Sequence, residues 1–179
     1  MGNSISSIKI LLVSLNFLVA ICSFSQSNIR IDQNGISHNQ ELFILPLDSG
    51  QLHSKIGVSS MNTSTEYGTY YWHDQGLFAT YLTETKKITG FGITFSKKHL
   101  KRKKEHGTRI LLERTNRIFK GQLTLLNKSI DSKSLKKDFQ NIGFTDAQLL
   151  EAIEKVLPFG TVRAYFRNNK LLGIFVEFA

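Results

Sequence analysis

Cysteine is almost missing from this chain of 179 residues, with Cys22 its one example. An apolar run of the roughly 20 residues that a bilayer-spanning helix needs is missing too. The longest stretch, residues 10–21, is shorter and is broken by Ser14 and Asn16. Acidic residues are in short supply, 14 against 23 Lys and Arg. There is no Gly-x-Ser-x-Gly nucleophile elbow and no Walker sequence. His38, His53, His73, His99 and His106 show no close paired spacing of the kind zinc ligands use. No cofactor and no metal are therefore expected.

What is present begins with an export signature. Lys9 is the only charge in the first 25 residues, an apolar core follows, and Ser23-Phe24-Ser25 places small residues three before and one before Gln26. That is the layout of a secretory signal, so residues 1–25 are expected to be a signal peptide and the protein periplasmic or extracellular. Cys22 raises the alternative of a lipidated leader; Val19 and Ala20 suit it, but Ile21 is too large beside the cysteine. Met1-Gly2 with Ser6 matches an N-myristoylation pattern, which the apolar signal overrules. Membrane contact would come only through a lipidated Cys22 or an uncleaved leader. With cleavage after Ser25 the mature chain has no cysteine, which excludes a thiol nucleophile, a cysteine metal site and a disulfide framework. Stability must then come from burying a core, for which about 150 residues suffice.

The mature chain holds 22 basic and 14 acidic residues, a balance of +8. The excess is concentrated in Lys97, Lys98, Lys101, Arg102, Lys103 and Lys104, six cations within eight positions. Such a run attracts phosphate, sulfate or carboxylate groups with a steep salt dependence, or serves as a solvated insert between halves. No aromatic residue interleaves it, which argues against stacking on single-stranded nucleic acid.

The chain also repeats itself. Leu47-Asp48-Ser49 recurs as Ile130-Asp131-Ser132, and Ile88-Thr89-Gly90-Phe91-Gly92-Ile93-Thr94-Phe95 recurs as Leu171-Leu172-Gly173-Ile174-Phe175-Val176-Glu177-Phe178, both at a spacing of 83. In the first copy, Asn34-Gly35 between alternating segments predicts a hairpin with a type I′ turn, and Leu42-Phe43-Ile44-Leu45 continues as a strand or strand end closed by Pro46. Asp48 or Ser49 caps a short helix with Leu52 and Ile56 inward and Gly57 at its end. Residues 58–69 are polar and read as loop. Residues 70–82 pair with 88–95 through Thr83-Glu84-Thr85-Lys86-Lys87.

In the second copy Asp131 or Ser132 caps a helix carrying Leu135, Phe139 and Ile142, ended by Gly143. Thr145 with Gln148 predicts a further helix with Leu149, Ile153 and Val156 on one face, stopped by Pro158. Residues 161–167 and 170–178 form a hairpin around Asn168-Asn169. The expected fold is α+β, an antiparallel sheet with helices on one face, built from two tandem helix-hairpin units: 26–96, a basic linker at 97–117, then 118–179. Gly90 and Gly92, on one face of their strand, are expected to receive a helix or, failing that, a ligand.

Helix, then Tyr70-Tyr71-Trp72, then a turn and a strand such as Ile88 to Ile93, in two copies, resembles the β-lactamase-inhibitor-protein-like proteins. The chain is similar as well to an uncharacterised family of bacterial envelope proteins with a Trp-Asp-x-Gly-Leu pattern, represented by Trp72-His73-Asp74-Gln75-Gly76-Leu77. Small lipoproteins of the outer-membrane assembly machinery carry one related unit. The resemblance covers residues 29–178 and implies the architecture and a tendency to bind proteins; it assigns no site residues.

On a strand, Tyr71 and His73 face one side and Tyr70, Trp72 and Asp74 the other, so His73 and Asp74 cannot act as a neighbouring acid-base pair. Tyr71, Trp72 and His73 are the candidate partner-binding residues, since exposed Tyr and Trp dominate interface energetics; the plainer alternative places Trp72 in the core. Lys97, Lys98, Lys101, Arg102, Lys103 and Lys104 are the candidate anion-binding residues. The expected function is an exported, non-enzymatic, inhibitor- or immunity-like protein that binds a macromolecule, foremost another protein, through the sheet face and the inter-unit loop. An alternative is an anion-binding envelope protein that docks acidic lipid or glycan. A hydrolase with a site assembled from distant residues is disfavoured.

Overall fold

A computed structural model describes residues 27–97, 115–148 and 151–179. Strands make up 49% of it and helices 10%. Two sheets share a core, which corrects the α+β expectation of helices layered on one sheet face. In chain order the elements are β1 (Asn28–Asp32), β2 (Gly35–His38), β3 (Glu41–Leu42), α1 (Ser49–Ile56), β4 (Ser60–Thr63), β5 (Tyr67–Trp72), β6 (Leu77–Leu82) and β7 (Ile88–Thr94). They continue with β8 (Gln122–Leu125), β9 (Lys128–Ile130), α2 (Lys136–Gln140), β10 (Thr145–Asp146), β11 (Ala152–Leu157), β12 (Gly160–Arg167) and β13 (Lys170–Phe178). The smaller sheet runs β3-β2-β1-β8-β9, and the larger β10-β11-β12-β13-β7-β6-β5-β4.

The order of elements runs through twice: hairpin, helix, four-stranded meander. The first pass is β1–β2, α1 and β4 to β7; the second is β8–β9, α2 and β10 to β13. Each meander is longer than the single hairpin the sequence suggests. The passes meet where β7 and β13 lie antiparallel at the middle of the large sheet. Gly92 pairs with Phe175, its own equivalent at the spacing of 83. On either side Phe91 pairs with Val176, the equivalent of Ile93, and Ile93 pairs with Ile174, the equivalent of Phe91. A local two-fold axis therefore passes through the Gly92–Phe175 pair.

Alternation decides which side chains enter the core. Ile29, Ile31 and Ile36 from the small sheet meet Tyr70, Trp72, Phe91, Ile93, Val162 and Ile174 from the large one. Leu52 and Ile56 of α1 and Phe139 of α2 join the same cluster. α1 starts where Asp48 Oδ1 accepts the Gln51 N–H at 2.8 Å, and stops at Gly57, whose φ of 105° only glycine holds comfortably. α2 is capped differently from expectation. Asp131 accepts the N–H of Lys133 in a turn, and Leu135 takes the cap position with its N–H donated to Asp138 Oδ2 at 2.8 Å.

Five further expectations are corrected. Residues 145–146 and 152–157 form β10 and β11, not a helix, and Leu149 lies outside the described residues; Ile153 and Leu157 are buried while Val156 is 76% exposed. Lys155 shares their core-facing side and sends its ammonium to the Ile142 carbonyl at 2.7 Å, which hid the alternation in the sequence. Residues 58–69 contain β4 and the start of β5. Residues 70–82 are two strands joined by a turn at residues 73–76, and β3 stops at Leu42. At Asn34-Gly35 only the glycine has a positive φ, and the Asn34 N–H donates to Asp32 Oδ1, so the turn is not type I′.

Aromatic rings, not a helix, fill the space over Gly90 and Gly92. A Cβ on Gly92 would lie 2.0 Å from the Phe78 ring, and one on Gly90 2.1 Å from the Phe175 ring. These rings cross the strand they pair with and stack on each other, centroids 5.9 Å apart and 9° from parallel. Gly92→Ala is expected to destabilise the protein by about 1–3 kcal/mol, because the buried Phe78 must shift. The readout is a lower urea midpoint at an unchanged slope; an unchanged midpoint would mean the ring moves without cost.

The Leu135 N–H and then the Lys128 ammonium hold the Asp138 carboxyl below its ordinary value of 3.8. A lowered folded value contributes stability that is present above the ordinary value and is lost as pH falls through the folded one. Thermal midpoints taken from pH 7 down to about pH 3 should therefore fall less steeply for Asp138→Asn than for the wild type. Parallel profiles would show that the cap carries no such share.

Candidate functional site

The pattern Trp72-His73-Asp74-Gln75-Gly76-Leu77 spans the end of β5, a turn and the start of β6. Trp72 is 3% exposed, and its indole N–H donates to the Gly57 carbonyl at 2.7 Å. Gln75 Nε2 donates to the Ile56 carbonyl at 2.9 Å. Two side chains from one turn thus satisfy carbonyls that the end of α1 leaves open. Trp72 is core, and so it leaves the expected partner-binding set.

Gly76 has two requirements that only glycine meets. Its φ is 74°, and a Cβ there would lie 2.2 Å from the Phe119 backbone nitrogen. The close approach lets the chain after the basic stretch return against the last residue of β7. Phe119 N–H donates to the Thr94 carbonyl at 2.7 Å, and Thr115 N–H to Thr94 Oγ1 at 3.3 Å. Beside them Asn116 N–H donates to His73 Nδ1 at 3.2 Å, and Arg117 pairs with Asp74 at 3.0 Å. Nδ1 therefore acts as an acceptor, which puts any proton of a neutral His73 ring on Nε2.

Tyr71 and His73 lie on the opposite face from Trp72 and stack, centroids 5.1 Å apart and 15° from parallel. Cross-strand pairing extends this face from Tyr71 to Phe78, Gly92, Phe175, Arg163 and Glu154 in one row. At the far end Arg163 Nε donates to Glu154 at 2.9 Å, and a second nitrogen bonds Glu177. Nearby, burial pushes the Tyr165 hydroxyl up to about 12. The guanidinium is matched by two carboxylates, so this end is a cross-strand ion network.

Lys97 is exposed at the end of β7's continuation. Lys98, Lys101, Arg102, Lys103 and Lys104 lie outside the described residues, as do residues 1–25 with Cys22. Of the other histidines, His38 is 4% exposed, bonds Ser27 Oγ at 2.9 Å and is lowered by burial. His53 sits edge-on to Tyr70 and Trp72. Among the described residues, no three or more His, Cys, Asp or Glu side chains gather as a metal site would require, and no helix is long and apolar enough to cross a membrane.

Asn116, Arg117, Thr94 and Thr115 carried no sequence signal, because their partners lie tens of residues away. Gly76 did carry one, as a glycine just before an apolar strand. The chain belongs to a family defined by a domain of unknown function, DUF7738, which matches residues 28–140. That span runs from the first residue of β1 to the last of α2. No curated protein matches the chain, and no solved structure does.

Trp72→Phe keeps a ring in the core but loses the bond to Gly57. It is expected to cost about 1–3 kcal/mol in chemical denaturation. Wild-type stability in that variant would show that the α1 terminus does not depend on the indole.

Proposed function

We propose that this chain is an exported, non-enzymatic binding protein whose contact surface is centred on Tyr71 and His73 and is assisted by the cations of the stretch 97–104. The partner is another protein with an acidic face. One observation carries the reading: the chain departs from the end of β7 and re-enters at Thr115 against Thr94, next to His73. In the sequence, the stretch that holds most of the chain's excess positive charge lies between these two points, the second of which adjoins the Tyr71–His73 stack. Aromatic area gives such a contact affinity, and clustered cations give it long-range attraction. The export signature supplies the compartment, periplasm or cell exterior.

The test is capture from the native envelope by the immobilised protein at low and high salt, with two variants run in parallel. Tyr71→Ala with His73→Ala, and Lys101, Arg102, Lys103 and Lys104→Gln, should each keep the wild-type circular dichroism. Each should also weaken the same stoichiometric protein partner by about tenfold or more. Salt should weaken the wild-type complex but not the Gln variant's residual binding. If only lipid or glycan is captured, and only the Gln variant loses it, the protein-partner reading fails. Capture indifferent to both variants sinks the site altogether.

A further inference from the structure

β4 borders the large sheet among the described residues, and all four of its residues are exposed. The ladder with β5 fixes where its backbone groups point. Ser64 N–H donates to the Tyr67 carbonyl at 2.8 Å, and antiparallel positions alternate between bonded and non-bonded pairs. Asn62–Thr69 and Ser60–Tyr71 therefore take the bonded places. The N–H and C=O of Met61 and Thr63 point the other way, off the edge of the sheet.

Proteins defend such edges with Lys, Pro, a bulge or a very short strand. β4 has none of these. Residues 56–65 carry no charge and no proline, and Val58 is 96% and Met61 61% exposed. The opposite border is defended: β10 has two residues, and its Asp146 is paired with Lys136 at 2.5 Å.

We propose that β4 is a self-association edge, where two copies of this chain pair their β4 strands antiparallel about a two-fold axis and continue the large sheet across both. Three observations choose a second copy as the occupant. A strand paired antiparallel with itself is self-complementary and closes after two copies, while the defended β10 edge blocks head-to-tail growth. The chain's net charge of +9 makes copies repel, and this uncharged edge is where they can approach at least cost. The fold already uses the geometry once, since β7 and β13, equivalent strands of its two passes, pair about a local two-fold axis. Met61 shares the core-facing side with Tyr70, so in the pair its side chain covers the seam on that side.

Sedimentation of the purified protein over a dilution series tests this. The expected result is twice the single-chain mass at high concentration, falling to one on dilution. Amide exchange at Met61 and Thr63 should slow with concentration. Met61→Lys sets like charges against each other at the seam, and Thr63→Pro removes an outward N–H. Both should leave only single chains, Met61→Lys at the thermal midpoint of the dilute wild type and Thr63→Pro at a lower one, because it also takes the Tyr81 hydroxyl's partner away. A single-chain mass throughout for the wild type, with exchange independent of concentration, overturns the proposal and leaves the edge to a strand of another protein. A dimer that survives both variants overturns it as well.

Discussion

Two aromatic rings laid over glycines set the middle of this molecule. Phe78 comes from the first pass of elements and Phe175 from the second, and both reach over β7 because Gly90 and Gly92 leave the room. Any side chain at those positions would meet a ring at well under van der Waals distance. The glycines lack contacts of their own, and the rings supply the missing apolar cover from the neighbouring strands. The seam has a larger consequence. Without β13, β7 would be an exposed edge, and the large sheet would divide into two meanders. The matched family region ends at residue 140, before the strand that brings Phe175. In this chain, then, the sheet is completed by strands lying beyond the region that defines its family.

The same device recurs nearer the edge. The Tyr81 ring lies over Gly68, where a Cβ would come within 2.0 Å, and its hydroxyl reaches Thr63 Oγ1 at 2.8 Å. Tyr70 stacks on it with centroids 4.5 Å apart. β4 is thus tied to the sheet by a buried side chain as well as by backbone bonds, so its outer edge is held in extended form.

Local chemistry made some of this legible. Asp48 with Gln51, Leu52, Ile56 and Gly57 gives a helix with both its ends, and Asn168-Asn169 gives a tight turn because both residues accept a positive φ. The repeated segments marked the two strands that turn out to be partners. What failed did so for physical reasons. β4 is exposed on both faces, so it has no apolar alternation to read. β11 hides its alternation behind Lys155, whose stem is buried and whose charge escapes to a carbonyl. Thr145 with Gln148 is a sound capping signal, yet an available strand edge on β12 outweighed it. Trp72, Asp74 and Gln75 are residue types that bind partners, but here they bind the rest of the chain. Period-2 alternation had already separated Tyr71 and His73 from Trp72, and that part of the site reading rests on geometry the sequence could supply.

The corner and the edge are neighbours, which ties the electrostatic and backbone features together. Tyr71 pairs directly with Ser60 of β4. In a sheet continued through two β4 strands, the two β5 strands would be three strand spacings apart, or about 14 Å. Both stacked Tyr71–His73 pairs would then face the same side of one surface. Two weak contacts on a rigid surface reinforce each other when one ligand can span them, because the second contact forms at high effective concentration. A protein with a single acidic patch would gain little from that arrangement, whereas one with repeated or paired patches would gain a great deal. The undefended edge and the charged corner therefore make joint sense if the partner itself is multivalent or two-fold symmetric.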